Sequence, residues 1–117
     1  MASVKISEIK DFKKQLKEID ENFEVDIQYW VCYGKAAVRK EFRKDNYFVE
    51  LSIYYNYKKD LVCKISKNKI VSENEGCRLS TEISRIKEDF IQVKQASKKN
   101  ILEKVKELKD IDLTQYI

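Results

Sequence analysis

Cysteine is a side chain of this chain that could act as a nucleophile, and histidine, its usual partner base, is absent. Histidine titrates near neutrality and serves most often as general base, proton shuttle and zinc ligand. Its absence excludes Ser-His and Cys-His catalysis. Lys59 and Lys64 lie close in sequence to Cys63 and could lower the pKa of its thiol. Cys63 also alternates with Leu61 and Ile65 on an apolar face, so we predict that it is buried and structural.

The sequence lacks the residue patterns of a phosphate-binding loop or of a metal-dependent active site. A phosphate-binding loop needs several glycines, and neither a P-loop nor G-x-G-x-x-G can be built from Gly34 and Gly76. A magnesium-dependent nuclease needs converging carboxylates and a lysine. The candidate residues stand out little, because charged residues are frequent throughout the chain. These candidates are Asp26, Glu50, Asp60 and Lys64. We therefore predict a non-enzymatic protein with no catalytic residue, metal or cofactor.

The length of 117 residues is typical of a single domain, and we expect one domain over 1–117. The three cysteines lack C-x-x-C spacing, and no signal-peptide pattern precedes them. A reducing cytoplasm fits these features. No apolar run approaches the roughly 18 residues that a membrane-spanning helix needs, so we expect no membrane partner.

Helical patterns flank a central block with the two-residue period of strands. Apolar residues at three- and four-residue steps predict a first helix over about 4–22, capped by Ser3 or Ser7. A second helical pattern predicts a helical tail over about 79–110, as one kinked helix or two. In the second case the later helix opens with a capping box at Asn100.

The block over about 24–72 predicts an antiparallel meander of four to five strands. The first covers 24–33, and 35–44 fits either a hairpin partner, which we favour, or a short helix. The third covers 47–58, and the fourth ends at a turn at Lys67-Asn68, before a short return segment at Ile70-Val71. The predicted fold class is α+β, with an N-terminal amphipathic helix, this meander and the helical tail.

Ten of the thirteen aromatic residues lie between Phe23 and Tyr57. The alternation places Trp30, Phe48 and Tyr54 on the sheet face opposite the main apolar one, where they are exposed unless the tail covers them. Exposed tyrosine and tryptophan are typical of protein interfaces. The predicted partner-binding residues are Trp30, Phe48, Tyr54, Tyr55 and Tyr57.

The stretch from Lys35 to Lys69 carries ten basic and four acidic residues, whereas the whole chain has a formal charge of only +4. Aromatics with lysines on a sheet can stack unpaired bases and neutralise phosphates. Lysines on exposed strands also discourage edge-to-edge aggregation, which is the structural alternative. The nucleic-acid hypothesis assigns phosphate contacts to Arg39, Lys40, Arg43, Lys58 and Lys64.

Three functions remain as hypotheses. The first is a small protein-binding module that acts by occupying a macromolecular partner, by class analogy an inhibitor or immunity-type protein such as phages and mobile elements encode against host defences. The alternative is a nucleic-acid-binding protein that uses the basic aromatic block 35–69. The third is a homodimeric scaffold that associates through the helical pattern from Leu79 to Leu108, with Phe90 and Val93 in the interface.

Overall fold

The computed structural model describes residues 6–117. Its elements are α1 (Ile6–Ile19), β1 (Glu24–Val25), α2 (Ile27–Tyr33), β2 (Val38–Lys44), β3 (Tyr47–Tyr55), β4 (Leu61–Asn74), β5 (Cys77–Ile91), α3 (Lys98–Leu108) and a 3-10 turn (Leu113–Tyr116). The strands form one antiparallel sheet in the order β1-β2-β3-β4-β5. The predicted α+β class, with helix, antiparallel meander and C-terminal helix, is confirmed.

One face of the sheet, which we call the covered face, carries the main core. Val49, Leu51, Ile53 and Tyr55 alternate along β3 toward this face and are buried. α1 and α3 contact each other, and α3 and the 3-10 turn pack on β3. The helices contribute buried Phe12, Leu16, Ile101, Val105 and Leu113 to the same cluster. The opposite face, which we call the open face, includes Phe48, Glu50, Ser52 and Tyr54 of β3.

α1 confirms the predicted first helix over most of its length. It ends at Ile19, three residues before the predicted end, and its buried residues are Phe12 and Leu16. Positions 4 and 5 of the predicted helix, and Ser3 as its cap, lie outside the described residues. Ser7 lies inside α1 and does not cap it.

The predicted first strand over 24–33 is wrong beyond Val25, because local capping favours a helix there. The side chain of Asp26 accepts a hydrogen bond from the backbone N–H of Tyr29, and Gly34 closes α2 in the left-handed conformation with φ 69°. The residues between an N-cap and a C-terminal glycine fold into two helical turns. The favoured strand over 35–44 is confirmed for Val38–Lys44 as β2, and the third strand, predicted over 47–58, is confirmed for Tyr47–Tyr55 as β3.

The predicted turn at Lys67-Asn68 and the return segment at Ile70-Val71 are wrong, because β4 continues to Asn74. The chain reverses instead at Glu75-Gly76, where Gly76 has φ 79°.

The helical tail predicted to begin at 79 is a strand up to Ile91, and β-bulges explain the misleading period. Ile83 and Ile86 have no cross-strand partner in the register with β4, and each adds one residue to the strand. Two such insertions turn an alternating pattern into steps of three and four residues. Helix begins only at Lys98, where Ser97, not Asn100, provides the N-cap.

The bulges also bend the long β4–β5 hairpin. Fifteen extended residues would span about 50 Å, which is more than the largest molecular dimension of 37 Å. The hairpin therefore curls over the open face. There Arg78 of β5 lies over the Phe48 ring, 4.4 Å from its centroid, and forms two hydrogen bonds of 2.8 Å with Glu41 of β2.

Candidate partner-binding surface

The predicted partner-binding residues do not form one exposed surface. Trp30 and Phe48 are each 3% exposed and Tyr55 is 2% exposed, whereas Tyr54 is half-buried and Tyr57 is 88% exposed. The expectation that Trp30 and Phe48 share an exposed sheet face is wrong. Trp30 lies on α2 and packs edge-on against Phe12, and Phe48 is under the curled hairpin.

Tyr55 has a structural role that accounts for its burial. Its hydroxyl donates to the carbonyl of Ser97 at 2.8 Å and accepts from the backbone N–H of Ser97 at 3.0 Å. This pair of bonds fixes the N-cap of α3 to the end of β3. Tyr55 therefore positions α3, and its hydroxyl is not available to a partner.

A row of aromatic side chains crosses the open face at the opposite end from the hairpin tip. The rings of Tyr33 and Tyr29 lie 4.5 Å apart, and those of Tyr29 and Tyr54 lie 5.2 Å apart. Tyr54 pairs with Val62 across β3 and β4, and Val62 pairs with Phe90 across β4 and β5. Directly opposed residues share a sheet face. We call Tyr33, Tyr29, Tyr54 and Phe90 the aromatic row.

The two ends of the aromatic row are the accessible parts. Tyr33 is 67% exposed and Phe90 is 58% exposed, whereas Tyr29 and Tyr54 are half-buried between them. The Tyr29 hydroxyl donates to the carbonyl of Tyr55. Burial raises the pKa of Tyr29 to about 12, and burial likewise raises the pKa of Tyr54. Tyr29 and Tyr54 are therefore uncharged at neutral pH, and the hydrogen bond and two ring contacts of Tyr29 fix its position.

A cleft of about 290 Å³ opens beside the row, between α2 and the β3–β4 loop. Its walls are Tyr29, Tyr33, Lys35, Tyr54, Tyr55, Asn56 and Tyr57. We call it the tyrosine cleft. Tyr57 projects from the loop, and the ammonium group of Lys58 lies over its ring at 5.7 Å from the centroid. The loop is held by the Asn56 side chain, which accepts from the backbone N–H groups of Lys58 and Asp60.

Two of the basic residues predicted to contact phosphate are held by carboxylates. Arg39 forms ion pairs with Glu41 and Glu50, the latter at 3.2 Å. Arg43 binds Glu73 through two hydrogen bonds of 2.8 and 3.0 Å. Such forked pairs occupy the donors that would otherwise bind phosphate. Neither arginine provides an unpaired cation.

Two of the predicted lysines are also placed against acidic or backbone groups. Lys40 points into the covered face, where its ammonium group lies 3.3 Å from a carboxylate oxygen of Asp20 and donates to the carbonyl of Lys109 at 3.1 Å. Lys64 lies opposite Glu88 in the β4–β5 register. Lys58, beside the tyrosine cleft, is the one of the five that remains on an exposed loop.

A polar cleft of about 420 Å³ lies on the open face, lined by Asn22, Glu24, Arg39, Glu41 and Arg78. Both of its arginines bind Glu41, and the hydrogen bonds from Arg78 are the largest of the effects that lower the pKa of this carboxyl group. The cleft is thus lined by an ion-pair network that is satisfied internally. Its role is to hold the hairpin on β2.

The predicted helical self-association surface from Leu79 to Leu108 is wrong, because the segment up to Ile91 is a strand. Phe90 lies on β5, and Val93 lies in the connection to α3 and packs partly against the core. β5 is instead an edge strand that, among the described elements, makes extensive contact with β4 alone. Its exposed large apolar residues are Leu79, Ile83, Ile86 and Phe90.

The predicted structural role of Cys63 agrees with its burial at 6% exposure, and burial raises the pKa of its thiol to about 11. Within residues 6–117, no group of three or more acidic or cysteine side chains is placed to hold a metal ion. No helix in this range is long and apolar enough to cross a membrane. No protein-family model, curated protein or solved structure matches this chain.

Sequence reasoning missed Tyr29, Tyr33 and Phe90 as members of one surface. The two-residue period over 24–33 predicts a strand with Tyr29 and Tyr33 on its main apolar face, and the helical pattern from Leu79 predicts that Phe90 lies on a helix. The capping pair Asp26 and Gly34, seven residues of helix apart, was the signal that could have found α2. No comparable signal marks the bulges that put Phe90 beside Tyr54.

Proposed function

We propose that this protein is a non-enzymatic binding protein that occupies the surface of another protein through the aromatic row. The observation that carries the proposal is the ring contact of Tyr33, Tyr29 and Tyr54, with Phe90 two strands from Tyr54 on the same sheet face and exposed residues at both ends. Tyrosine and phenylalanine are enriched at interfaces, where large side chains with few rotatable bonds bury area at low entropic cost.

The fixed position of Tyr29 in the middle of the row supports a binding role. Tyr29 is fixed by its hydrogen bond to the Tyr55 carbonyl and by contact with two neighbouring rings. A surface that is ordered before binding loses less entropy when a partner docks. Occupation of a partner by a preformed surface is how inhibitors and immunity proteins act, and we propose that class for this chain.

Ion pairing of the basic residues favours a protein partner over nucleic acid. Arg39 and Arg43 are held by glutamates and Lys40 by Asp20, so most of the predicted phosphate contacts are already neutralised. Nucleic-acid binding depends on cations that release counterions from phosphate, and an arginine already paired contributes little to that exchange.

The test is affinity capture from a lysate of the natural host, with and without nuclease. Wild type is compared with the double variant Tyr33→Ala/Phe90→Ser, which removes both ends of the row. The matched control is Tyr47→Ala/Val71→Ser, which changes an exposed tyrosine and an exposed aliphatic residue away from the row. Fluorescence of the buried Trp30 reports whether each variant is folded.

We expect wild type and control to retain one stoichiometric protein regardless of nuclease, and the row variant to lose it. Two interface aromatics together contribute enough to weaken binding by at least about tenfold. Retention of the same partner by a folded row variant would refute the proposed surface. Loss of all specific material after nuclease would instead support the nucleic-acid alternative.

A further inference from the structure

The tyrosine cleft is a second, concave feature at one end of the aromatic row. Five tyrosines line its walls, and two of them, Tyr33 and Tyr57, are exposed at its rim. Its volume of about 290 Å³ is at the lower end of the range for ligand pockets, so it suits one ring-sized group. Aromatic walls favour a planar occupant, because rings gain both buried area and preferred stacking geometry.

The charge around the cleft indicates an anionic occupant. Lys35 is the one charged residue in its walls, and within residues 6–117 no carboxylate forms an ion pair with its ammonium group. Lys58 and Lys59 follow Tyr57 in the loop at the rim. A half-buried lysine beside apolar walls attracts negative charge more strongly than one in open water.

Among the described residues, no acidic side chain lines the cleft, although Asp60 lies in the same β3–β4 loop. Asp26 accepts the hydrogen bond that caps α2, and Glu82 and Glu88, on the far side of Tyr54, both bind Arg85. The hydroxyl of Tyr29 stays protonated at neutral pH, so it adds no negative charge. An aromatic cage for a cation would need the opposite arrangement, with carboxylates and without lysine.

We propose that the tyrosine cleft receives an aromatic side chain of the protein partner that has a carboxylate next to it in sequence. The ring lies between Tyr33 and Tyr57, and the carboxylate faces Lys35. The inference rests on the proposed function, because it names the anchor residue that the partner inserts beside the aromatic row. Buried aromatic anchors of this kind commonly dominate the binding energy of an interface.

Short blocked peptides test this cleft without knowledge of the partner. The probes are acetyl-Glu-Phe-Glu-amide, acetyl-Lys-Phe-Lys-amide and acetyl-Glu-Ala-Glu-amide, with adenosine monophosphate as a nucleotide arm. Binding to the ¹⁵N-labelled full chain is followed by NMR chemical-shift changes at residues 29–35 and 54–58. Lys35→Glu removes the proposed cation, and Lys44→Glu makes the same change of charge at the distant end of β2.

We expect the acidic phenylalanine peptide to bind at least about fivefold more tightly than either other peptide. Lys35→Glu should abolish that preference, and Lys44→Glu should preserve it. Equal binding of the lysine peptide, tighter binding of the nucleotide, or no binding by any probe would overturn the inference. If Lys35→Glu captures the same partner and the row variant does not, the inference about the cleft is refuted and the proposed function stands.

Discussion

Replacement of Lys40 by alanine tests whether this residue stabilises the fold or contacts phosphate, and it is the most informative single change. The Lys40 side chain is 15% exposed, and its ammonium group bonds the carboxylate of Asp20, whose side chain is 8% exposed, and the Lys109 carbonyl. It also lies 5.4 Å from the centroid of the buried Phe23 ring. One side chain therefore joins the segment after α1 to the segment after α3 across β2.

The expected loss of stability follows from these contacts. A hydrogen bond from a charged donor contributes about 1.5 kcal/mol, and a partly buried cation over a ring about 0.5 kcal/mol. Removal of Lys40 also leaves the nearly buried Asp20 carboxylate without its cation. The cost is only about 1 kcal/mol, because the backbone N–H of Asn22 still donates a hydrogen bond to this carboxylate. We expect Lys40→Ala to lower the free energy of unfolding by about 3 kcal/mol.

Urea unfolding followed by Trp30 emission measures this loss, because the single tryptophan is buried and becomes solvated on unfolding. Lys44→Ala, an exposed lysine on the same strand, is the control and should change stability by less than about 0.5 kcal/mol. A double-mutant cycle with Asp20→Asn should give a coupling of about 1 kcal/mol. A Lys40→Ala effect no larger than that of the control would refute the structural role.

Two further predictions concern titration and reactivity. Because the folded-state pKa of Tyr29 is about 12, above its ordinary value of 10.0, stability should fall as pH rises between these values. Tyr29→Phe should remove that part of the decline in pH-dependent urea titrations; an unchanged slope would contradict it. A thiol reagent at pH 7.5 should modify exposed Cys32 and Cys77 of the native protein but not buried Cys63. Mass spectrometry counts the modified cysteines. Modification of Cys63 as fast as the other two would show that its site opens readily.

Much of the sheet could be predicted because period-two alternation is preserved where one face is buried. β3 keeps strict alternation from Val49 to Tyr55, since every second residue enters the core. β2 could be favoured over a helix for the same reason. α3 could be recognised from Ile101 and Val105, whose spacing places both on one buried face.

The remaining elements could not be predicted because capping and long-range contacts, rather than the hydrophobic period of the sequence, determine them. α2 is decided by a cap and a left-handed glycine, while its Ile27 and Val31 stay exposed and give a false strand pattern. β5 is decided by pairing to β4, and its bulges at Ile83 and Ile86 imitate a helical period. The burial of Phe48 depends on a hairpin that curls back from 30 residues further along the chain.

The strand order of the sheet equals its order along the chain, so each strand leaves the ribosome when its neighbour has already been made. The sheet can therefore grow one strand at a time during synthesis. α3, which completes the cover over β3, emerges only after all five strands. Until then Leu51, Ile53 and their neighbours lack that half of their cover. A nascent chain paused before Lys98 presents this apolar sheet to chaperones with the cover of α1 and of Trp30 on α2, but without that of α3.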